Sequence, residues 1–406
     1  MKILVITHYF PPEIGAPSAR LFEMASHWVK EGNEVTVLTA FPNHPTGVIP
    51  DEYKGKKSMV EYIEGIKVIR SYVYATPNEG FVKKTIGHIS FMLSSVLQSF
   101  FKVGKPDVVV VSSPTYFSMF SATFYSISKR SKLVLDIRDL WPAAIVELGV
   151  LKNRFIIGIL EFFEKEFYKK ASKIVVVTNS FKENLVNRGI PGGKIEVITN
   201  GVNENMFQYD EIAGVNLRKK LGIRTNDFVG LYIGAHGISQ SLHVLIEVAK
   251  ELPDIKFLFV GEGAEKKKLI KLKTEKSLNN VLFIEGQPKN LISDYYSLAD
   301  VCFVPLRDVE LFKTFIPSKM FEIMSNSRPI IASLEGESEV ILKKSNSAII
   351  TKPESVSEMK EAILTFRNNP ELIKQYGENG RGFVIKNYTR KSLAEKYLKL
   401  LKTEAE

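Results

Sequence analysis

Short β-branched apolar runs alternate with helix-length amphipathic segments, and this alternation limits the fold of the chain more than any other feature. In the first half the apolar runs lie at residues 3–7, 35–39, 108–112, 132–136 and 174–178. Segments with helical periodicity lie between them, at residues 19–30, 85–101 and 155–170. The runs show little polar alternation, as expected for parallel strands that are covered on both faces. This order predicts an α/β fold with a doubly wound, Rossmann-like sheet.

The same pattern starts again in the second half. Apolar runs lie at residues 228–234, 256–261, 281–284, 301–304 and 329–332, and helical segments at 242–252, 265–274, 291–297 and 318–324. We therefore predict two Rossmann-like domains, 1–200 and 201–385, joined near residues 200–215, where turn-forming residues cluster. The last helix, about 389–403, is expected to return to the first domain within residues 386–406. Two such domains facing a cleft would each present the strand ends where open α/β sheets bind ligands.

Composition narrows the class of protein. The 406 residues are 45% hydrophobic and 25% charged, which is typical of a folded globular chain. Cys302 is the single cysteine, so an intramolecular disulfide framework and cysteine-rich metal sites are excluded. The net charge is +10, and residues 1–200 hold 25 basic and 18 acidic side chains, or +7 of that total. Such an excess favours anionic partners, among them nucleotides and phospholipids.

Several patterns argue against other partners. The apolar start of the chain is too short for a signal peptide, and the apolar stretch 86–101 falls short of the roughly 20 residues of a membrane span. We expect a cytoplasmic protein that is soluble or peripheral on the inner face of the membrane. The histidines lack metal-ligand spacing and no D-x-D pair follows a strand, so we expect no metal and no cofactor. The charge run 265–276 lacks interleaved aromatic residues and predicts a solvated helix, with no nucleic-acid partner.

Two loops of the first half are candidates for ligand binding. The first strand ends in a loop that contains Gly15 and Ala16 and leads into a helix. Its free N–H groups could attract phosphate or sugar oxygens, although an ordinary turn between strand and helix explains it too. The segment LVLDIRDLWP places Asp136, Arg138 and Asp139 at the end of an apolar strand. Charges at such a position predict a polar site, and a local Arg–Asp pair is the alternative.

The second half carries a candidate nucleotide site. Gly261 and Gly263 follow the strand in FLFVGEGAE, and FIEGQP repeats the arrangement one unit later. Turns of this kind would let a flat base approach the main chain. In FKTFIPSKMFEIM, Pro317 is predicted in the first turn of a helix, where Ser318 and Lys319 would contact a diphosphate. Glu322 would lie one turn deeper and accept hydrogen bonds from a ribose. An ordinary amphipathic helix is the alternative.

Five motifs in order make the chain recognisable. They are HYFPPEIGAPSARLFE (8–23), TAFPNHPTG (39–47), DIRDLWP (136–142), ITNGVNENMF (198–207) and FIPSKMFEIM (315–324). With them the whole chain resembles the family 4 retaining glycosyltransferases of the GT-B fold. It is especially similar to the subgroup that builds O-antigen and capsule sugars, which includes L-fucosamine transferases and colanic-acid fucosyltransferases.

The resemblance implies a role for each matching residue. Arg138 and Asp139 match a strand-end pair near the transferred sugar and, with Lys319 and Glu322, form the implied catalytic set. Asn200 and Gly201 match the interdomain linker. The remaining matches are implied donor-binding residues: Gly15, Ala16, Gly234, His236, Gly237, Gln240, Gly261, Gly263, Gln287, Thr314, Pro317, Ser318 and Met320. No metal is implied.

The chain departs from the family at three places. Thr314 stands where the first glutamate of the usual E-x₇-E pair is expected, which suits a deoxy or N-acetylated sugar. Ser239-Gln240-Ser241 replaces the Arg and Lys that many relatives carry after the first donor-domain strand. Arg138 stands where many relatives carry a histidine, the residue to which the family's acid–base role is usually assigned.

The resemblance and the residues together predict a metal-independent retaining glycosyltransferase. The expected donor is a UDP-sugar, with N-acetyl-L-fucosamine or a related 6-deoxyhexosamine transferred to a polyprenyl-diphosphate-linked saccharide in surface polysaccharide synthesis. The alternatives are a GDP-fucose-type transferase, a nucleotide-sugar 2-epimerase and a non-catalytic homologue that binds nucleotide-sugars. The segment 85–101, flanked by Lys83, Lys84 and Lys102, is either a helix that lies on anionic lipid or a core helix.

Overall fold

A computed structural model describes residues 1–13, 16–44, 46–76, 81–113, 115–147 and 149–406, without the side chains of residues 16, 17, 81 and 147. The chain forms two compact units. Unit 1 is Met1–Thr199 with Arg390–Glu406, and unit 2 is Asn200–Thr389. The boundaries differ from the predicted ones by one residue where the chain leaves unit 1 and by four where it returns.

Unit 1 is built on a sheet with the strand order β3-β4-β2-β1-β5-β6-β7-β8. The strands are β1 (Lys2–Ile6), β2 (Glu34–Ala40), β3 (Ser58–Ile63), β4 (Ile66–Ser71), β5 (Val108–Ser112), β6 (Lys132–Ile137), β7 (Lys173–Val176) and β8 (Ile195–Val197). The helices are α1 (Ala16–Lys30), α2 (Phe81–Leu97), α3 (Ser118–Lys129), α4 (Ala143–Glu147), α5 (Arg154–Lys170) and α6 (Asn179–Asn187). All pairings are parallel except that of β3 with β4.

Unit 2 has a sheet of parallel strands in the order β11-β10-β9-β12-β13-β14. The strands are β9 (Val229–Ile233), β10 (Lys256–Val260), β11 (Val281–Ile284), β12 (Val301–Pro305), β13 (Ile330–Ser333) and β14 (Ala348–Thr351). The helices are α7 (Glu211–Lys220), α8 (His243–Glu251), α9 (Lys266–Glu275), α10 (Ile292–Leu298), α11 (Lys319–Ser325), α12 (Glu337–Ser345), α13 (Val356–Asn368) and α14 (Pro370–Asn387). The predicted α/β class with two Rossmann-like domains is confirmed.

The last helix, α15 (Arg390–Ala405), belongs to unit 1. Its buried side chains join the core formed by β1 and α1. The Trp28 and Tyr397 ring centroids are 5.4 Å apart, and the Trp28 indole N–H donates to the Ala394 carbonyl at 3.1 Å. The end of the chain therefore completes the core of the unit in which the chain starts.

The reversal of strand order positions a ligand site in each sheet. In unit 2 the order reverses between β9 and β12, and in unit 1 between β1 and β5. Loops that leave neighbouring strands at such a point run in opposite directions and open a crevice at the carboxyl edge of the sheet. The loops after these four strands are thus the first places to look for functional side chains.

Candidate functional site

Unit 2 brings the β9 and β12 loops together at its crevice. The β9 loop starts at Gly234, and the β12 loop runs to Lys319 at the start of α11. The Arg307 N–H donates to the Ser239 carbonyl at 2.8 Å and ties the two loops together. The tie fixes the two segments in which the sequence predicted diphosphate contacts.

The Lys319 ammonium lies against Gly234 and the Tyr232 ring. Its Nζ atom is 4.0 Å from the centroid of that ring, and a Cβ added at Gly234 would lie only 2.7 Å from Nζ. Gly234 also has φ +136°, which side chains rarely adopt. Burial lowers the pKa of Lys319 to about 7, and the nearby Glu322 carboxylate opposes this shift. The site therefore holds a cation that gains from a bound anion.

The start of α11 differs from the prediction in one respect. Pro317 precedes the N-cap residue Ser318, and its carbonyl accepts a hydrogen bond from the Met320 N–H at 3.1 Å. Pro317 is thus outside the helix, not in its first turn. The Ser318 hydroxyl makes no capping hydrogen bond. Since α11 has only 7 residues, the Lys319 ammonium, not a long helix dipole, dominates the local positive charge.

Met320 was predicted to bind the donor, and this is wrong for the described geometry. Its side chain is fully buried in a core cluster of unit 2 that also contains Phe321 and Met324. Its N–H is bonded to Pro317, as above. Neither group is open to a ligand, because the residue after the lysine faces the sheet.

Glu322 lies one turn after Lys319, as predicted. The Tyr296 hydroxyl donates to its Oε2 atom at 3.1 Å. Tyr296 is buried, and burial together with the Glu322 charge holds its pKa well above the ordinary value. The tyrosine therefore stays a proton donor and orients the carboxylate, which still has lone pairs for further hydrogen bonds.

Gly261 and Gly263 are explained by the protein backbone, not by a ligand. A Cβ at Gly261 would lie 2.0 Å from the Gly234 carbonyl oxygen, and one at Gly263 would lie 2.3 Å from the His236 carbonyl oxygen. The parallel pairing of β9 with β10 continues past the strands, with Gly234 N–H donating to Val260 and His236 N–H to Glu262. The close approach that the sequence analysis assigned to a base is thus made by the β9 loop.

The β9 loop is internally braced. The Gly237 N–H donates to the Gln240 side-chain oxygen at 3.1 Å, so Gln240 shapes the loop. His236 is fully buried, and its two ring nitrogens have no hydrogen-bond partner among the described residues. Burial is the main cause that lowers the pKa of His236 to about 4, which keeps the ring neutral.

Gln287 and Thr314 use their polar groups locally. The Gln287 amide donates to the Glu285 carbonyl at 3.0 Å, and the Thr314 hydroxyl donates to the Leu311 carbonyl at 2.7 Å. Behind the Thr314 turn lies Gly336, where a Cβ would lie 2.1 Å from the Lys313 carbonyl oxygen. Gly336, Arg307 and Tyr232 were not predicted from the sequence, since only the fold brings them next to the motif residues.

In unit 1, Arg138 follows β6 at the carboxyl edge of the sheet. Its Nε and Nη1 atoms are buried and meet no hydrogen-bond partner among the described residues. Burial and the charges of Arg20 and Arg390 lower its pKa to about 10, while burial raises the pKa of Asp139. The alternative of a local pair that satisfies the guanidinium does not describe this geometry. A buried guanidinium with open donors is suited to binding an anionic group.

His8 and His88, for which the sequence predicted no metal site, lie near the carboxyl end of β1. The His8 and His88 ring centroids are 4.7 Å apart, and burial lowers the pKa of both rings, that of His88 to about 4. Glu13 fixes the neighbouring loop by accepting from the N–H groups of Asn43 and His44 at 2.8 and 2.9 Å. The motifs at residues 8–23 and 39–47 are the sequence signal that could have identified this region. Among the described residues no His, Cys, Asp and Glu cluster is arranged to hold a metal ion.

The structure gives little information on the predicted donor-binding residues Gly15 and Ala16. Gly15 lies outside the described residues. Ala16 is the first residue of α1, and only its backbone is described.

Family models match both units. Residues 18–205 match Glycosyltransferase Family 4, and residues 215–383 match Glycosyl transferases group 1. Together these matches take in most of the chain.

Curated relatives extend over similar lengths. WcaI of Escherichia coli, named as a colanic acid biosynthesis glycosyl transferase, is 24% identical over 396 residues, which is 93% of this chain and 96% of the relative. Alpha-galactosylglucosyldiacylglycerol synthase of Streptococcus pneumoniae is 29% identical over 317 residues, 73% and 76% of the two chains. Among solved structures, Anabaena HepE in complex with UDP and glucose superimposes with a TM-score of 0.74 at 16% identity and covers 99% of this chain and 100% of that one.

Proposed function

The chain is a glycosyltransferase of family 4 with the GT-B fold, and from this premise we propose that it transfers a sugar from a UDP-sugar to a lipid-linked saccharide. The proposed sugar is N-acetyl-L-fucosamine or a related 6-deoxyhexosamine, and the proposed product belongs to a surface polysaccharide.

The position of Lys319 carries the proposal for the donor. A cation whose pKa is lowered to about 7 by burial is unfavourable on its own, and a diphosphate beside it would offset that cost. The glycine at position 234 leaves the space that the ammonium occupies. Transfer builds negative charge on the departing diphosphate, and a fixed cation at that point stabilises the transition state.

Glu322 and two turns of unit 2 supply the proposed nucleoside contacts. The carboxylate held by Tyr296 is proposed to accept from the ribose hydroxyls. The base contact of the 261–263 and 286–287 turns is proposed from the family resemblance alone, since the β9 loop makes the close approach at Gly261 and Gly263. The named complex of HepE with UDP and glucose supports uracil over guanine. Thr314, which stands in place of a carboxylate, supports a donor sugar with fewer hydroxyl groups.

Two observations support the proposed lipid-linked acceptor. WcaI is named for colanic acid biosynthesis, and the pneumococcal relative is named as a synthase of a glycosyldiacylglycerol. In this chain the buried donors of Arg138 are suited to a phosphate, which a polyprenyl-diphosphate-linked saccharide carries. We further propose front-face attack by the acceptor hydroxyl, which would retain the anomeric configuration without a side-chain nucleophile.

A thermal-shift panel with UDP, GDP, ADP and their sugars tests the donor, because a ligand that binds only the folded state raises the melting temperature. UDP and UDP-sugars are expected to give the largest shifts. A larger shift with GDP would overturn the choice of base and favour the GDP-fucose alternative.

A transfer assay tests the reaction. The enzyme, a UDP-N-acetylated 6-deoxyhexosamine and a polyprenyl-diphosphate-linked sugar should yield an elongated lipid, and Lys319→Ala should lower turnover on the order of 10²-fold. Lys271→Ala, at an exposed position of α9, is the matched control. Nucleotide-sugar binding without transfer to any lipid-linked saccharide would refute the proposed acceptor, and an epimerised donor in the absence of acceptor would refute the reaction.

A further inference from the structure

The outer face of α5 exposes a row of large apolar side chains. Phe155 is 77% exposed and Phe162 61%, and Ile159 lies between them on the same face of the helix. The opposite face is anchored, because Phe167 and Tyr168 are buried. A helix that is well packed on one side and apolar on the other has a surface suited to a partner.

Phenylalanine rings connect this row to the neighbouring helices. Phe163 of α5 contacts Phe120 of α3 with centroids 5.0 Å apart, and Phe124 lies one turn further along α3. Phe124 in turn contacts Phe100 at 5.7 Å, just beyond the end of α2. Phe101 follows and is 95% exposed. We call this series the aromatic band: Phe100, Phe101, Phe120, Phe124, Phe155, Phe162 and Phe163.

The exposed apolar face of α2 ends next to the aromatic band. Val82, Ile86, Leu93 and Leu97 are exposed and share one face of the helix. Phe91 on the other face is fully buried. The α2 helix therefore buries one face and presents an apolar surface on the other, and its contact with lipid stays a prediction.

Basic side chains border the aromatic band. The Lys129 ammonium lies 3.9 Å from the centroid of the Phe100 ring. Further basic residues next to the band in sequence are Lys102, Arg130, Lys152, Arg154 and Lys165. Of the α5 acids, Glu164 is paired with Arg188 and Glu166 with Lys169, and Glu161 is exposed. The border is therefore positively charged.

We propose that the aromatic band is a docking surface for an anionic phospholipid bilayer. Phenylalanine side chains bind at the boundary of headgroups and acyl chains, and the bordering cations are attracted to anionic headgroups. No helix in the described ranges is long and apolar enough to cross a membrane, so the contact is peripheral. A second copy of this chain is a poorer occupant, because a symmetric contact would bring two positive borders together. The proposal rests on the proposed function only for its purpose, which is access to a lipid-linked acceptor.

Co-sedimentation with vesicles tests the docking surface directly. The full chain should bind vesicles of phosphatidylglycerol and phosphatidylcholine, bind pure phosphatidylcholine much more weakly, and lose affinity as salt is raised. The double variant Phe155→Ser/Phe162→Ser should reduce binding about tenfold or more. Lys152→Gln/Arg154→Gln should reduce it by about fivefold per charge at low salt. Tyr62→Ser changes an aromatic residue that is 72% exposed on β3, outside the band, and should leave binding unchanged.

Two results would overturn the proposal. One is wild-type protein that stays in the supernatant with anionic vesicles, or a double variant that binds them as the wild type does. The other is a concentration-dependent dimer in gel filtration that disappears in the double variant, which would assign the band to a second copy. UDP-induced thermal shifts, measured on the same samples, report the donor site separately, so failure of vesicle binding and failure of the proposed function are distinguished.

Discussion

Lys319 is the residue on which the proposed chemistry of unit 2 depends, and its protonation gives a direct signature. Burial places its pKa at about 7, whereas a lysine in an unfolded chain titrates near 10.4. Above pH 7 the free enzyme therefore holds a largely neutral amine. The same shift means that the unfolded chain binds more protons between pH 7 and 10.4, so the destabilisation caused by burying this lysine decreases as pH rises through that window.

We predict that UDP binding takes up a proton at this lysine. A diphosphate raises the pKa of the adjacent amine, so UDP affinity should fall about tenfold between pH 8 and pH 9, where UDP itself no longer titrates. Isothermal titration calorimetry in buffers of different ionisation enthalpy measures the uptake. Lys319→Met should bind UDP weakly at all pH values and without proton uptake. Wild-type affinity that does not change across this range would contradict the lowered pKa.

Glu322 makes a prediction about the ribose. If its carboxylate accepts from the ribose hydroxyls, the wild type should prefer UDP to 2′-deoxy-UDP by about tenfold, and Glu322→Ala should lose this preference. Tyr296→Phe, which removes only the orienting hydroxyl, should give an intermediate preference. Competition binding with both nucleotides measures it. An undiminished preference in Glu322→Ala would place the ribose elsewhere.

At the scale of single residues, the sequence predicted which residues form the candidate site better than it predicted what each of them contacts. The order Ser318-Lys319 and the spacing to Glu322 were sufficient to single out the lysine and the carboxylate. Met320 could not be excluded, because which residue of a short helix faces the sheet depends on where the helix starts. The lowered pKa of Arg138 depends on burial and on the charge of Arg20, which is distant in sequence.

At the scale of elements, the paired β9 and β10 loops form the rigid part of the site. Gly261 has φ +140° and lies too close to the Gly234 carbonyl to carry a side chain. The loop that limits the space around the Lys319 ammonium is therefore held by backbone contacts from the neighbouring strand.

We predict that Gly261→Ala destabilises unit 2 by more than about 2 kcal/mol, because it combines a strained φ with a backbone clash. Gly382→Ala on α14, where a Cβ meets nothing within 4 Å, should be neutral or stabilise the helix by up to about 1 kcal/mol. Thermal unfolding in the presence and absence of UDP measures both. Equal melting temperatures for the two variants would show that the loops can separate without cost.

The strands of the doubly wound pattern could be predicted from the sequence, whereas strands outside that pattern could not. The predicted strand 108–112 coincides with β5, because a fully buried strand gives a continuous apolar run. The predicted strand 281–284 coincides with β11, an apolar run of which only Val281 is buried. The β3–β4 hairpin was missed. Its two turn residues, Glu64 and Gly65, both have positive φ, but a Glu-Gly pair is a weaker turn signal than Asn-Gly or Asp-Gly.

At the scale of the whole molecule, the chain closes unit 1 with its last helix. Tyr397 of α15 is fully buried against Trp28 of α1, so residues near the two ends of the sequence share one core. The sequence indicated a helix beyond a full second domain. Its side-chain contacts could not be predicted, because they depend on the three-dimensional position of α1.

We predict that Tyr397→Ala destabilises unit 1 by about 3–5 kcal/mol, since it leaves a large cavity in that core. The two tryptophans of the chain, Trp28 and Trp141, both lie in unit 1, so tryptophan fluorescence during urea unfolding reports this unit alone. Lys399→Ala, at an exposed position of the same helix, is the control and should leave the midpoint unchanged. A Tyr397→Ala midpoint equal to that of the wild type would show that α15 does not contribute to the core.

The central claim is that the ammonium of Lys319 binds the donor diphosphate, and comparison of UDP with uridine tests it most directly. Calorimetric dissociation constants should be measured at pH 7 for both ligands, with the wild type and Lys319→Ala. We expect the substitution to weaken UDP binding on the order of tenfold to a hundredfold and to leave uridine binding unchanged, because only UDP carries the charge that the lysine offsets. Equal losses for the two ligands, or no loss for either, would contradict the claim.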